Sequence, residues 1–499
     1  MIKSFFAFCL VQMIFFSASS FALPFTIIPK AGTTLPTMIV TGETVTAYYT
    51  VSNNTTILLS GNFVKYLPPH VVQGLTDITY SDLCSSQFIL TPKGTPGDSC
   101  TLKLLVSEPV TPSSCPHHCL FVCAKGGTTC AGTNYPLNIV TVPLNAAAGY
   151  FTNNNDSQAL TYFTNNNGLS WSPVIPPEAE QSFLYSVSCN NATCATVGAY
   201  LNGGVDVPLA YFSQDAGKSW LTVDVQPVTV GVESQLFGIE CQGVNCISVG
   251  FSGVIPVSYL SSDGGNSWVY HMVPYAGVSS NWLYGVSCNG NLCTAVGFYT
   301  NLGVQKPVAY KSTNGGITWS LASTLPPYIG NGISWLYSVS CSGSNCVSVG
   351  FYQQNGTFKP LSYISTDNGD TWEPANFPPY LGNGTSSLSG VTCIGNHCTA
   401  VGFFTNLSGF FSPLTYTSDN RGEIWSVSPG LPAYLAGGNN QLYGIYCIGT
   451  ICIATGSYKN GLNLNPVSYT SFNGGSTWSS PVLPQVLGNG DSELQDTDD

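Results

Sequence analysis

The chain has 499 residues, of which only 7% are charged, and its formal net charge is -12. An ordinary globular protein has about 25% charged residues, so Asn, Ser, Thr and Gly must keep this surface in water. The chain contains a single arginine, Arg421, and no run of basic residues. Nucleic acid and anionic membranes repel such a chain, and we expect neither as a partner.

Residues 1–22 have the features of a secretory signal peptide. They read MIKSFFAFCLVQMIFFSASSFA, with one lysine, an apolar run and the small-x-small cleavage pattern Ser20-Phe21-Ala22. No later apolar stretch has the length needed to cross a bilayer. We therefore expect a soluble, secreted protein, extracellular or periplasmic, without membrane insertion. All cysteines except Cys9 follow this segment, and disulfides persist in oxidising compartments.

Residues 23–134 are predicted to form an N-terminal immunoglobulin-like β-sandwich. In TVTAYYTVSNN apolar residues alternate with polar ones before a turn, which indicates a strand, and other short strands follow between Gly and Pro. Cys84 and Cys100 are candidates to join two strands. The connectivity of these two and of four later cysteines stays open: Cys115, Cys119, Cys123 and Cys130. The segment CPHHCLFVC also offers His117 and His118 as zinc ligands, but disulfides fit an exported protein better.

From residue 135 onward a unit of about 50 residues repeats. Each unit contains one copy of a turn motif that ends in a tryptophan, and the seven are Trp171, Trp220, Trp268, Trp319, Trp372, Trp425 and Trp478. One unit reads as four strands, LYGVSC, CTAVGFY, PVAYKS and TWSLAS. Four short strands per period are typical of a β-propeller blade. The sequence thus predicts an all-β protein whose residues 135–488 form a seven-bladed propeller, with six blades and a half as the competing count.

The two ends of the repeat region are less regular. The first unit, which begins at LNIVTVPL, keeps the turn at Trp171 but lacks a cysteine pair. We expect ring closure to use this degenerate first blade. Residues 489–499 carry five acidic residues and are interpreted as a solvated acidic tail.

The turn before each tryptophan resembles the Asp-box, or BNR repeat. The copies SQDAGKSW, SSDGGNSW, STNGGITW, STDNGDTW and SFNGGSTW are clear, while TNNNGLSW and SDNRGEIW are weaker. The side chain in the third slot is expected to bond backbone amides two residues on, and Gly to supply a positive φ. That slot holds Asn166, Asp215, Asp263, Asn314, Asp367, Asn420 and Asn473. Because Asp and Asn exchange there, we interpret these residues as structural turn caps without catalytic function.

The resemblance implies a propeller similar to those of sialidases, sortilin-type receptors, xyloglucan-cleaving glycosidases and photosystem II assembly factors. Sialidases hold the substrate carboxylate with three arginines, and this chain has only Arg421. Sialidase activity is therefore excluded. No nucleophile elbow, zinc-protease motif or phosphate loop is present. We predict no catalytic residues, no metal and no cofactor.

Six Cys-x4-Cys pairs lie in the hydrophobic stretches between boxes. A four-residue loop between antiparallel strands places the flanking residues within disulfide range. Zinc is the rival interpretation, but a blade supplies no third and fourth ligand. We therefore expect disulfides between Cys189 and Cys194, Cys241 and Cys246, Cys288 and Cys293, Cys341 and Cys346, Cys393 and Cys398, and Cys447 and Cys452.

The linkers between blades repeat a pattern of aromatic residues with Asn and Gly, as in PPYIGNGISW. An aromatic rim for binding is predicted from Tyr275, Trp282, Tyr328, Trp335, Tyr380 and Tyr434; alternatively, these rings only pack blade junctions. Aromatic faces with neutral hydrogen-bonding groups suit a glycan or a protein loop. The leading hypothesis is a non-enzymatic recognition protein for a glycan or an extracellular protein. Alternatives are a glycoside hydrolase with an unrecognised carboxylate pair and a protein-assembly or scaffold factor.

Overall fold

The computed structural model of the protein describes residues 23–36, 38–40, 44–108, 110, 120–137, 139–142, 145–177, 181–377, 381–382, 384–435 and 437–498. The regular elements in these ranges are all β-strands, so the fold is all-β as predicted. Across them there is no helix of the length and apolarity needed to span a membrane. The chain divides into two compact units, Met1–Val142 and Pro143–Asp499. The predicted signal peptide lies outside the described residues.

The first unit contains two four-stranded antiparallel sheets, ordered β1-β3-β7-β5 and β6-β4-β8-β9, and a parallel pair of β2 with β10. The strands are β1 (Phe25–Pro29), β2 (Met38–Val40), β3 (Val45–Asn53), β4 (Leu59–Tyr66), β5 (Val71–Gly74), β6 (Phe88–Leu90), β7 (Ser99–Val106), β8 (Phe121–Cys123), β9 (Cys130–Gly132) and β10 (Val140–Val142). Alternate residues of β3, such as Tyr49 and Val51, are buried in one core with Leu102 and Val122. Two sheets around one core form a β-sandwich.

The described residues of this unit contain the disulfides Cys84–Cys100 and Cys123–Cys130. The first confirms that these cysteines join two segments of the sandwich. Cys115, Cys119, His117 and His118 lie outside the described residues. The immunoglobulin-like character of the sandwich stays a prediction.

The second unit consists of repeated four-stranded antiparallel sheets, in which the strand after each linker is innermost. The strands are β11 (Asn145–Asn153), β12 (Asp156–Thr164), β13 (Ser172–Val174), β14 (Ser182–Asn190), β15 (Thr193–Asn202), β16 (Val205–Ser213), β17 (Leu221–Val223), β18 (Ser234–Gln242), β19 (Asn245–Ser252), β20 (Ile255–Ser261), β21 (Val269–Met272), β22 (Asn281–Asn289), β23 (Leu292–Asn301), β24 (Val304–Ser312), β25 (Ser320–Leu321), β26 (Ser334–Ser342), β27 (Asn345–Gln354), β28 (Thr357–Ser365), β29 (Glu373–Pro374), β30 (Ser386–Ile394), β31 (His397–Thr405), β32 (Phe411–Ser418), β33 (Ser426–Val427), β34 (Asn440–Ile448), β35 (Ile451–Asn460), β36 (Asn463–Ser471) and β37 (Ser492–Asp498).

These strands build the blades of a β-propeller. Within the described residues there are seven sheets, from β13-β12-β11-β37 through β14-β15-β16-β17 to the three-stranded β34-β35-β36. The innermost strands lie side by side in the order β37, β14, β18, β22, β26, β30 and β34, and β34 again lies beside β37. Second strands such as β23 are buried on both faces, because a neighbouring sheet packs on each side.

Ring closure differs from the prediction in two ways. LNIVTVPL is not the first strand of the first blade, because β10 pairs with β2 in the other unit. The innermost strand of the first blade is instead β37, which pairs antiparallel with β11. The interpretation of residues 489–499 as a solvated acidic tail is therefore wrong. Strand β37 pairs with the free edge of β11 and completes the ring of inner strands.

The six predicted Cys-x4-Cys disulfides are all present, each joining the first and second strands of one blade. The register of these two strands places the cysteines directly opposite each other, as for Cys288 in β22 and Cys293 in β23. Eight disulfides in the described part of the chain are typical of an oxidising compartment such as the extracellular space. Secretion itself stays a prediction.

Candidate ligand-binding site at the mouth of the central channel

The innermost strand of each sheet contains a β-bulge at the same place. In β22, Leu283 pairs with Gly297 and Gly285 with Val296, so Tyr284 has no partner in the register. A side chain at Gly297 would overlap the carbonyl oxygen of Trp282, which explains why glycine faces the bulge. A bulge bends the strand and redirects the side chain of the extra residue. The seven residues at this position are Tyr185, Phe237, Tyr284, Tyr337, Ser389, Tyr443 and Gln495.

All seven bulge residues line a cavity of about 490 Å³ at one end of the central channel. The channel continues below them as a cavity of about 430 Å³, which reaches the cysteine ends of the inner strands. The linkers lie at the same end as the bulges. For example, Gly253, in the turn between β19 and β20, donates a 2.7 Å hydrogen bond to the carbonyl oxygen of Glu233 in a linker.

Four adjacent inner strands, β14 to β26, place aromatic rings around this mouth. We call this set the aromatic crescent: Phe183, Tyr185, Phe237, Trp282, Tyr284, Trp335 and Tyr337. Ring centroids of neighbouring blades are close, 4.8 Å for Phe237 and Tyr284 and 5.4 Å for Tyr284 and Tyr337. The indole of Trp335 stacks on Phe298 with centroids 5.0 Å apart, and its Nε1 donates to Gln305 Oε1 at 2.9 Å. The crescent is thus packed and held in orientation.

The aromatic crescent is interrupted at β30. The positions that hold Trp335 and Tyr337 in β26 hold Ser387 and Ser389 in β30. The space that two large rings would fill is open, and we call it the gap pocket. Its aromatic side consists of Trp335, Tyr337, Phe351, Phe358, Phe403 and Tyr443, and its polar side of Ser387, Ser389, Gln441 and Gln495. Among the described residues that line it there is no Asp, Glu, Lys, Arg or His.

A buried carboxylate lies directly behind the polar side of the gap pocket. Glu493 is only 6% exposed, and its Oε2 accepts a 2.8 Å hydrogen bond from Gln495 Nε2. The hydroxyls of Tyr150 and Tyr443 also bond to Glu493. Burial raises the pKa of Glu493, while these hydrogen bonds act in the opposite direction. Glu493 therefore fixes the orientation of Gln495 and Tyr443.

The predicted aromatic rim is only partly assembled at this mouth. Trp282 and Trp335 belong to the aromatic crescent. The tyrosines of the linkers instead close their own loops, because each hydroxyl donates to a carbonyl four residues on: Tyr275 to Ser279, Tyr328 to Gly332 at 2.6 Å, and Tyr434 to Gly438 at 2.8 Å. Their side chains are 42%, 37% and 38% exposed. Tyr380 lies outside the described residues.

Sequence reasoning missed the bulge residues, which contribute the largest part of the mouth. The signal for them is present in the repeat, since Leu, then Tyr or Phe, then Gly or Ser recurs at the start of five inner strands. In a regular strand the three residues of this tripeptide would point to alternate faces of the sheet. Only the pairing with the following strand reveals the bulge. The two serines of β30 become informative only when they are compared with those neighbours.

The Asp-boxes lie on the opposite face, beside the cysteine hairpins. Ala216 N donates to Ala192 O at 2.8 Å. The Ser213 hydroxyl accepts from Gly217 N at 2.9 Å, and Asp215 Oδ1 accepts from Ser219 N at 2.8 Å. The third-slot side chain thus bonds the amide four residues on, and the predicted spacing of two was wrong. The positive φ of Gly217 is confirmed.

The same contacts explain why Asp and Asn exchange in the third slot. Asp215 Oδ2 accepts a 2.6 Å hydrogen bond from the Ser219 hydroxyl. Asn314 Nδ2 instead donates to the Thr318 hydroxyl at 2.9 Å. A hydroxyl both donates and accepts, so either side chain completes the turn. This geometry supports a structural function for the boxes.

No charged residue is among the described lining of the gap pocket, whereas Glu240, Asp496 and Asp498 line the channel below it. The only arginine, Arg421, lies in a box on the far face, where its Nε donates to Asn396 Oδ1 at 2.7 Å. Within the described residues no group of three or more His, Cys, Asp or Glu is arranged to hold a metal ion. The gap pocket itself offers hydroxyls, amides and aromatic faces, which bind a ligand without titrating near neutral pH.

Comparison with known proteins agrees with this architecture. The family model described as BNR/Asp-box repeat matches residues 363–374, and no curated protein matches the sequence. Similar solved structures include YCF48 bound to D1 peptide, with 13% identity, a TM-score of 0.38 and coverage of 62% of this chain and 93% of that one. Trypanosoma rangeli sialidase in complex with the inhibitor DANA has 12% identity, a TM-score of 0.35 and coverage of 61% and 55%. The GH74 xyloglucanase from Xanthomonas campestris has 13% identity, a TM-score of 0.24 and coverage of 72% and 64%.

The ring of antiparallel sheets makes the second unit a β-propeller, and the box in its residues 363–374 matches the BNR/Asp-box repeat.

Proposed function

We propose that the propeller is a non-enzymatic recognition module that binds an uncharged part of a glycan or an extracellular protein at the gap pocket. The observation that carries the proposal is the interruption of the aromatic crescent at β30, where two serines stand in place of a Trp and a Tyr. A concave pocket with aromatic walls and a few convergent polar groups is the usual form of a ligand site. On β14, β22 and β26 both equivalent positions hold aromatic residues, and on β18 the bulge position does.

The composition of the gap pocket favours binding over catalysis. Glycoside hydrolysis requires two carboxyl groups that face the scissile bond. No carboxyl group is among the described lining residues, and the adjacent Glu493 is buried behind Gln495 and Tyr443. A hydrolase at this position would therefore need a rearrangement that brings Glu493 and a second carboxyl group into the pocket.

The experiment fills the gap with the chain's own neighbouring residues. Ser387→Trp combined with Ser389→Tyr copies β26 onto β30. The control is Ser426→Trp, which adds a ring to the exposed outer strand β33 of the same sheet and keeps the pocket open. The intact protein is screened on a glycan array and against a displayed peptide library. A ligand bound by the natural protein and by the control, but not by the filled variant, supports the proposal. Ligands that bind all three proteins equally would place recognition elsewhere and refute it.

A further inference from the structure

We infer that the gap pocket receives a single neutral pyranose residue, with its apolar face on the aromatic side and its hydroxyls toward Ser389, Gln441 and Gln495. This inference rests on the proposed function and specifies its ligand. The aromatic side of the pocket then contacts the C–H groups of one sugar ring, and the polar side contacts its hydroxyls. The anchoring sugar then needs no charge and no metal.

The first step of the argument is the division of the pocket into unlike walls. One wall is formed by rings such as Trp335, Phe351 and Phe358, where the centroids of the two phenylalanines are 4.7 Å apart. The other wall carries hydroxyl and amide groups from three successive inner strands, β30, β34 and β37. A pyranose is amphipathic in the same way, since C–H groups cover its faces and hydroxyls project from its edge.

The second step compares ligands that would leave one wall unsatisfied. An apolar amino-acid side chain would fill the space. It would remove water from Ser389, Gln441 and Gln495 and offer these residues no hydrogen bonds in exchange. Each buried polar group left unpaired weakens binding roughly tenfold or more. A sugar carboxylate or a phosphate would be desolvated with no cation among the described lining residues to compensate it. A neutral sugar satisfies both walls.

The third step concerns the rigidity of the polar wall. Because Gln495 Nε2 donates to Glu493, its Oε1 is the amide atom left to accept from a sugar hydroxyl. Tyr443 is held by the same carboxylate. Glu493 is therefore a positioning residue for two groups of the pocket. Groups fixed before binding lose less entropy when the ligand arrives.

The test is titration of simple probes into the full protein by calorimetry and ligand-observed NMR. The probes are the methyl pyranosides of glucose, galactose, mannose and xylose, with glucuronate and acetyl-leucinamide for comparison. We expect saturable binding of at least one neutral glycoside, unchanged in Ser426→Trp and lost in Ser387→Trp with Ser389→Tyr. Glu493→Gln should lower that affinity about tenfold and change the preference among epimers, which a purely structural residue would not do.

Two results separate the failure of this inference from the failure of the proposed function. Binding of acetyl-leucinamide or glucuronate at the gap pocket, with no neutral glycoside bound, would overturn the pyranose assignment and leave recognition at this pocket intact. If neither these probes nor any array or library ligand distinguishes the filled variant from the natural protein, both are refuted.

Discussion

Ser186 donates a 2.6 Å hydrogen bond to Asp496, although 310 residues separate them in the chain. Asp498 similarly accepts a 3.2 Å bond from the backbone N–H of Cys189. At other blade junctions a serine hydroxyl accepts this bond, as when Cys241 N donates to Ser188 at 3.0 Å. Acidic side chains of β37 thus take the place of serines where the chain closes the ring.

Deletion of the closing strand should therefore destabilise the whole propeller. Without residues 492–499 the edge of β11 and the neighbouring faces of β14 and β34 are exposed. We expect the main thermal unfolding transition to fall markedly or to disappear, as measured by calorimetry and circular dichroism. A chain that ends at Asp498 keeps β37 and is the control. A truncated protein that melts like the control would restore the interpretation of this segment as a solvated tail.

A second prediction concerns the pH dependence of stability. Burial raises the pKa of Asp496 from 3.8 to about 6, against the opposing hydrogen bond from Ser186. Below about pH 4 the carboxyl group is protonated in both states. Between pH 4 and 6 the unfolded chain releases this proton while the folded chain retains it, so the unfolding free energy falls as pH rises, by on the order of 3 kcal/mol.

The measurement compares the natural protein with Asp496→Asn by denaturant unfolding from pH 4 to pH 7. The variant should be close to the natural protein at pH 4 and more stable at pH 7, because its amide does not ionise. Asp224→Asn, on an exposed residue, controls for the general effect of removing one negative charge. A stability difference that does not change with pH would contradict the assignment to Asp496.

The features that were predictable from sequence are those set by short spacing. A box spans a few residues, and a cysteine pair spans one hairpin, so their geometry follows from local turn chemistry. Strand β37 was missed for two reasons. Its pairing partner β11, which contains Tyr150, lies far away in the chain, and the sequence SELQDTD resembles a solvated tail. Bulges are properties of pairing between strands, so Tyr284 could not be placed at the channel before its register with β23 was known.

The third prediction concerns the hydrogen bond between the third-slot side chain of a box and the Ser or Thr hydroxyl four residues later. Asp215→Asn should change the unfolding free energy by less than about 0.5 kcal/mol, because Ser219 can reverse its donor and acceptor roles as in the box of Asn314. Asp215→Ala removes the hydrogen bonds from the Ser213 hydroxyl and from the amide and hydroxyl of Ser219, and should cost about 1–2 kcal/mol, as for the loss of a helix cap. Urea unfolding of both variants tests this. Equal losses in both would show that the carboxylate itself is required.

The last prediction separates two tyrosines that hold the same linker. Tyr469 is fully buried, and its hydroxyl donates to Ala433 O at 2.6 Å. Tyr434 is partly exposed, and its hydroxyl donates to Gly438 O at 2.8 Å. Tyr469→Phe should lower the unfolding free energy by about 1 kcal/mol, and Tyr434→Phe by less, because water can replace the exposed bond. Neither tyrosine lines the gap pocket, so both variants should keep the ligand affinity of the natural protein. Loss of binding in Tyr434→Phe with unchanged stability would instead show that the linker tyrosines bind the ligand.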